Sequence, residues 1–189
     1  MAAAKNVAVL VGSLRKASFN RQMANALADL APDRLRLEIV EIGQLSHYDQ
    51  DADAETDPPP AWRAFRETVK AADAVLFVTP EYNRSVPGVL KNAIDVGSRP
   101  SGQSAWDGKP AAVISVSPGA IGGFGANHHL RQTLAYLNMP TLQQPEAYIG
   151  GAASLFAKDG GLAKEDTRKF LQNFMQRFAD WIDLVGRRS

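Results

Sequence analysis

The sequence predicts an α/β fold: a five-stranded parallel sheet in the order 2-1-3-4-5, with helices on both faces. Three observations predict it. Short, continuously apolar runs such as Val7–Val11 and Ala74–Thr79 read as strands buried on both faces. Segments with helical spacing separate the strands from end to end. The chain has 189 residues, the size of one domain, and no repeat, low-complexity tract or linker divides residues 1–189.

Val7–Val11 is apolar and rich in valine, and Gly12-Ser13 ends it. A helix follows from Asn20 to Leu30, with Met23, Leu27 and Leu30 at helical spacing. Leu35–Ile39 alternates apolar and polar residues, as a strand nearer an edge does. Ser46–Pro60 carries Asp49, Asp51, Asp53, Glu55 and Asp57, shows no core pattern and reads as a loop. Its terminal prolines lead into a helix over Ala61–Ala71. Ala74–Thr79 is a buried strand stopped by Pro80, and Val86–Val96 is helical, with Pro87 starting it. Ala111–Val116 is a fourth strand. A turn rich in glycine, Gly119–Gly125, leads to a helix over Ala126–Leu137. Thr141-Leu142 and Ala147–Ile149 suggest a split fifth strand. The last helix, Lys164–Val185, puts Leu171, Met175, Phe178, Ile182 and Val185 on one face, and Phe170, Phe174 and Trp181 widen it.

Composition excludes several classes of function. With no cysteine, the chain has no disulfide scaffold, zinc-thiolate site, iron–sulfur cluster or thiol nucleophile. Its net charge of +1 lacks the basic excess of a nucleic-acid binder. No segment reaches the roughly 18 apolar residues of a membrane helix, and Val7–Val11 is too short for a signal peptide. A cytoplasmic location is expected. His128 and His129 are adjacent and cannot chelate together, His47 is isolated, and Asp49–Asp57 lacks calcium-loop spacing. Solvated side chains explain these residues better than a metal does. There is no G-x-S-x-G elbow for a serine hydrolase.

In such a sheet, ligands sit beyond the carboxyl ends of the strands, at the switch point. Three loops fall there. The first, Gly12–Asn20, offers hydroxyls, cations and an amide just before a helix N-terminus, where free N–H groups favour an anion. Ser18 or Asn20 could simply cap that helix with Arg15 solvated, but the cluster as a whole suits a phosphate. It matches neither the Walker sequence nor G-x-G-x-x-G, so a monophosphate fits better than a dinucleotide. The second loop contains Pro80-Glu81-Tyr82-Asn83: Pro80 stiffens the turn, Tyr82 is a flat apolar surface, and Asn83 can read a heterocycle edge. The third loop, Ser117–Gly125, has four glycines in its last seven residues, which would let the backbone approach a planar ligand.

Two strings carry a resemblance: Gly12-Ser13-Leu14-Arg15-Lys16-Ala17-Ser18-Phe19-Asn20 and Pro80-Glu81-Tyr82-Asn83-Arg84-Ser85-Val86-Pro87-Gly88-Val89-Leu90-Lys91-Asn92-Ala93-Ile94-Asp95. With them the chain, from Val7 to about Tyr148, resembles the NADPH-dependent FMN reductase family of flavodoxin-like proteins, nearest its bacterial quinone and chromate reductase branch. The resemblance implies that Ser13, Arg15, Ser18 and Asn20 hold the FMN phosphate. It implies that Pro80, Glu81, Tyr82 and Asn83 line the isoalloxazine, and that Ser117 and Gly119 flank the ribityl chain and ring. It also implies a homodimer or homotetramer with the flavin near a subunit interface. A chain of this size has little room to enclose a flavin alone. Val96-Gly97 stand where members often carry a Trp, and Leu45-Ser46-His47-Tyr48 where they often read Leu-Pro-Leu-Tyr. Both stretches are expected near the subunit contact or the site rim.

The expected activity is an NAD(P)H oxidoreductase. NADPH or NADH would reduce bound FMN, and a small-molecule acceptor would then take the electrons in a ping-pong cycle. Quinones come first as acceptors, with chromate, azo compounds or free flavin beside them. The cofactor carries the hydride chemistry, so no residue is assigned as a catalytic acid. The alternative is a non-enzymatic electron carrier of flavodoxin type, which the near-neutral charge disfavours. A third reading is a regulator that binds a phosphorylated ligand without flavin.

Overall fold

The computed structural model describes residues 3–54, 57–157 and 160–186. The valine and leucine runs form strands as their patterning dictates: β1 (Lys5–Val11), β2 (Leu35–Ile39), β3 (Ala74–Thr79), β4 (Ala111–Val116) and β5 (Ala147–Ile149). They pair in parallel in the order β2-β1-β3-β4-β5. The register opposes Val9 to Ile39 on one side and to Leu76 on the other. All six residues of β3 and of β4 are buried, which is why those runs do not alternate.

Helices α1 (Phe19–Leu30), α2 (Gln50–Ala54), α3 (Pro60–Ala71), α4 (Gly88–Gly97), α5 (Phe124–Tyr136) and α6 (Glu165–Gly186) complete the chain, with a short 3-10 turn at Ala152–Ser154. Alternate strand residues serve opposite faces. Val7, Val9, Val11, Leu76 and Ile114 pack with Met23 and Leu27 of α1 and Phe174 and Phe178 of α6. Ala8, Leu10, Phe77 and Val113 pack with Trp62 and Phe65 of α3, Leu90 and Ile94 of α4, and Leu130 and Leu134 of α5. Val185 is only half-buried, near the last described residue of the α6 stripe. Thr141 pairs with Ala111 as an isolated bridge, so the fifth strand is split as the sequence suggests.

The acidic segment is not all loop: α2 lies inside it. Asp49 starts this turn by accepting from the Asp51 amide at 2.9 Å. Arg66 of α3 then brings Nη1 to 2.7 Å from Asp53 Oδ1, with both side chains buried and the contact ionic rather than hydrogen-bonded. Arg66 Nε donates to Val96 O at 2.8 Å, so one guanidinium ties α2 to the end of α4. Glu55 lies outside the described residues. The α4 helix starts at Gly88, because Pro87 sits at its N-cap in extended geometry and is not its first helical residue. The α5 helix starts two residues before the expected Ala126.

The two stretches that depart from the resembled pattern sit in tight local contacts. A Cβ on Gly97 would stand 2.4 Å from Trp106 Cζ2, so the buried Trp106 ring fills the space beside that position. Trp106 Nε1 donates to Ile94 O at 2.9 Å. The segment Leu45–Tyr48 is held by Asn92 of α4, which donates to Ser46 O at 3.0 Å and accepts from the Tyr48 amide at 2.8 Å. Among the described residues, no helix is long and apolar enough to cross a membrane.

Candidate functional site

The strands are parallel, so β1, β3 and β4 end at one edge and place their loops together. Gly12 N donates to Val78 O at 2.9 Å. A Cβ on Gly12 would lie 3.1–3.2 Å from Thr79, Pro80 and Leu90, so the first and second loops touch at that point. Gly123 of the third loop sits with its Cβ position 3.0 Å from Ser115 Cβ and 3.7 Å from Glu81 Cβ. Asn20 crosses from α1 to donate to Val116 O at 3.2 Å. The three loops therefore form one site edge.

In the first loop, Ser18 caps α1, its Oγ accepting from the Arg21 amide at 3.4 Å. The amides of Leu14, Arg15, Lys16 and Ala17 have no hydrogen-bond acceptor among the described residues. The amides of Phe19 and Asn20 open the first turn of α1, where the helix has no earlier carbonyl to bond, and that turn holds no acidic residue. Ser13 is 5% exposed, yet its hydroxyl has no protein partner among the described residues. Arg15 lies over the Phe19 ring, 5.2 Å from its centroid, with its cation exposed beside these amides. This is a cradle of donors with a cation at its mouth, and its chemistry fits a phosphomonoester such as that of FMN. Asn20 is turned inward, 4% exposed, and its Oδ1 has no partner among the described residues.

In the second loop, Tyr82, Asn83, Arg84 and Ser85 form a two-residue hairpin. Tyr82 N donates to Ser85 O at 3.1 Å, and Ser85 N to Tyr82 O at 3.0 Å. Asn83 and Arg84 both take positive φ, 50° and 65°, as this tight turn requires. Pro80 is buried and Asn83 exposed. The Glu81 side chain turns away from solvent toward the start of α5, where its Oε2 accepts from the Ala126 amide at 3.0 Å.

In the third loop, most of the glycines serve the protein's own packing. A Cβ on Gly122 (φ 66°) would meet Tyr148 C at 2.6 Å, and one on Gly125 would meet Arg84 O at 2.9 Å. Gly119 alone of the four has open space, with only Ser117 Oγ at 3.8 Å. Ser117 is held by its amide to Ile149 O at 3.0 Å, and its Oγ accepts from Gly119 N at 3.3 Å.

Of the apolar rim, sequence reasoning singled out Tyr82 and missed Leu14, Ile121 and Phe124. Leu14 (56%), Tyr82 (52%), Ile121 (57%) and Phe124 (47%) are exposed, and all four come from these three loops. Their signal in the sequence was an apolar residue that fits no strand or helix period. The adjacent histidines, read as solvated, are exposed but bonded in different directions. His128 Nε2 lies 2.9 Å from Tyr148 Oη, and His129 Nδ1 lies 3.0 Å from Ser85 Oγ. Burial and Glu146 push the Tyr148 phenol up to about 12, so it stays protonated at neutral pH.

Comparison with known proteins identifies the family. The family model described as NADPH-dependent FMN reductase matches residues 5–154. A quinone reductase of Pseudomonas putida is 65% identical over 95% of this chain and 95% of its own. A 2-hydroxy-1,4-benzoquinone reductase of a Burkholderia species is 52% identical over 95% of this chain and 97% of its own. Among solved structures, the flavoenzyme NAD(P)H:(acceptor) oxidoreductase FerB of Paracoccus denitrificans superposes with a TM-score of 0.90 at 46% identity. It covers 96% of this chain and 99% of its own. The family model and these likenesses, with a sheet in this order and a loop of free amides after β1, place the chain in the NADPH-dependent FMN reductase family, a family of flavodoxin-like oxidoreductases.

Proposed function

We propose that this protein uses NADPH or NADH, through bound FMN, to reduce quinones. The observation that carries the reading is the run of amides at Leu14–Ala17, without acceptors among the described residues and joined by the exposed Arg15 guanidinium, at the carboxyl edge of the sheet. The names of the similar enzymes point to quinone acceptors. When bound, FMN supplies the hydride and electron chemistry. The chain's own residues bind and orient. Ser13, Arg15, Ser18 and Asn20 form the phosphate end, Asn20 through its main-chain amide, while the Ser18 hydroxyl and the Asn20 side chain also fix α1 in place. Pro80, Tyr82 and Asn83 supply one wall for the ring, with the Glu81 main chain, and Ser117 and Gly119 supply the other. Leu14, Tyr82, Ile121 and Phe124 give the open side an apolar rim that suits a flat acceptor. Nicotinamide nucleotide and acceptor use this one side in turn, a ping-pong order. Chromate, azo compounds and free flavin are further acceptors to test, in a steady-state panel beside quinones.

The same reading makes the protein a homodimer or homotetramer, in which a second subunit borders part of the exposed apolar rim and leaves a slot open to the acceptor. Sedimentation of the FMN-loaded protein checks this. A cytoplasmic location belongs to the same reading, and cell fractionation checks it. The central experiment is anaerobic mixing. FMN-loaded protein should lose its visible flavin absorbance with NADPH or NADH and regain it on adding benzoquinone. A flavin that stays oxidised with both nucleotides leaves an electron carrier instead. A protein that takes up no FMN overturns the reading altogether.

A further inference from the structure

We propose that Glu81 is a positioning residue that staples the hairpin after β3 to the first turn of α5, fixing the spacing between two walls of the FMN site. The inference rests on the FMN reading and assigns the Glu81 side chain a role other than lining the ring.

The need arises at α5. Its N-cap is Gly123, in the left-handed region (φ 78°, ψ 29°), so no side chain can cap the helix from that position. The first turn of α5 holds no acidic residue. Its amides would be left without acceptors at a partly buried helix end, which is unfavourable. Glu81 meets that need from another loop. Its Oε2 accepts from Ala126 N at 3.0 Å, and its Oε1 accepts from Arg84 Nη1 at 3.1 Å. Both carboxylate oxygens are thus engaged by protein, and the side chain is only 11% exposed. A carboxylate at a helix N-terminus also interacts favourably with the helix dipole.

The close approach is built into the sequence. A Cβ on Gly125 would lie 2.9 Å from both Glu81 Oε2 and Arg84 O. Any larger residue there would push the hairpin away from the helix. A second tie runs parallel to the first, Ser85 Oγ to His129 Nδ1 at 3.0 Å. The Arg84 contact further supports a non-glycine residue held at φ 65°. The hairpin and the start of α5 therefore move as one piece. The hairpin carries Tyr82 and Asn83, and the loop feeding α5 carries Ser117 and Gly119. The Glu81 bridge sets the gap between them.

Hydrogen exchange and FMN titration on wild type, Glu81→Ala and Glu81→Gln test this. In FMN-free protein, Glu81→Ala should speed exchange of the Ala126 amide at least about tenfold, as expected when a helix cap is lost. Glu81→Gln keeps an acceptor for that amide and should restore most of the protection. In FMN titrations, Glu81→Ala should weaken affinity about tenfold or more and shift the visible flavin band, with Glu81→Gln near wild type. Wild-type exchange at Ala126 in Glu81→Ala, or unchanged FMN affinity and spectrum, overturns the proposal. If wild type takes up no FMN, the FMN reading fails, and the exchange measurement still decides whether the staple exists.

Discussion

At the carboxyl ends of β1, β3 and β4, the amides of Leu14–Ala17 lack acceptors among the described residues, and four apolar side chains face solvent. At the amino ends of the same strands, the protein pairs several of its polar groups with one another. Asp73 accepts from Lys5 Nζ at 3.3 Å and from Asn6 N at 2.8 Å. Lys109 Nζ donates to Lys70 O and Ala72 O at the end of α3, and Asn138 donates to Asp107 at 2.8 Å. This end also holds a groove of about 630 Å³ among Lys5, Asp73, Lys109 and Ile182. The contrast teaches that volume does not make a binding site. Donors left unspent by the fold make one, because a ligand can satisfy them at little cost to the protein.

The sharpest way to break the contrast is at Gly122, where positive φ and the Tyr148 main chain 2.6 Å from a Cβ coincide. Gly122→Ala should cost about 1–3 kcal/mol in backbone strain, with the clash adding to it. Both thermal unfolding and FMN titration should report a loss. Unchanged FMN affinity would mean that the third loop is not a wall of the site. Arg15→Ala should weaken FMN binding by about 1.5–3 kcal/mol, the size of a hydrogen bond to a charged group. The FMN-free protein should melt as wild type does, since among the described residues the Arg15 guanidinium meets the Phe19 ring alone. A matched loss of stability would make Arg15 structural.

The opposite end should respond in the opposite sense. Lys109→Met removes the donor to Lys70 O and Ala72 O, and should lower stability by about 1 kcal/mol with FMN affinity and turnover unchanged. Burial holds the Lys109 ammonium below its ordinary pKa, Asp73 opposing it. The unfolded chain then binds more protons than the folded one between that lowered value and about 10.4. Wild-type stability relative to Lys109→Met should therefore rise with pH through this window, measured by urea unfolding at a series of pH values. A flat difference would mean that Lys109 is not buried in solution.

The smallest effect is expected at Arg34, which bonds Asp180 and Asp183 at 2.6 Å each near the start of β2. These side chains are over a third exposed, so Arg34→Ala should cost less than about 1 kcal/mol, and less again in high salt. Arg34 holds the Asp180 carboxyl below its ordinary pKa. That contribution is complete above about pH 4 and fades as pH falls through the lowered value. A loss of FMN affinity in this variant would contradict the separation of the two ends.

Much of this was legible in the residues. The buried valine runs, the alternating Leu35–Ile39 and the Ser18 cap carry their own structure, because strand burial and capping are local chemistry. Ser13, Arg15 and Tyr82 could be placed at one edge from strand order alone. The Glu81 side chain could not, since the amide it satisfies belongs to a helix 45 positions away in the sequence. The short helix α2 was illegible for the same reason: Arg66, from the next helix, holds it. The glycines of the third loop misled, because a glycine reads alike whether a ligand or the Tyr148 main chain approaches it.

The sequence by itself determined the strand order, the family and the three loops that meet, because periodicity, turn residues and motif strings are short-range properties. Only the tertiary structure decided which polar groups were already spent. It assigned Glu81 to α5, Asn20 to Val116, and Gly122 to the passage of β5, and it left the amides of Leu14–Ala17 open. That division has a physical reason. A hydrogen bond needs two partners at 3 Å or so, and the folded chain alone says which partners meet.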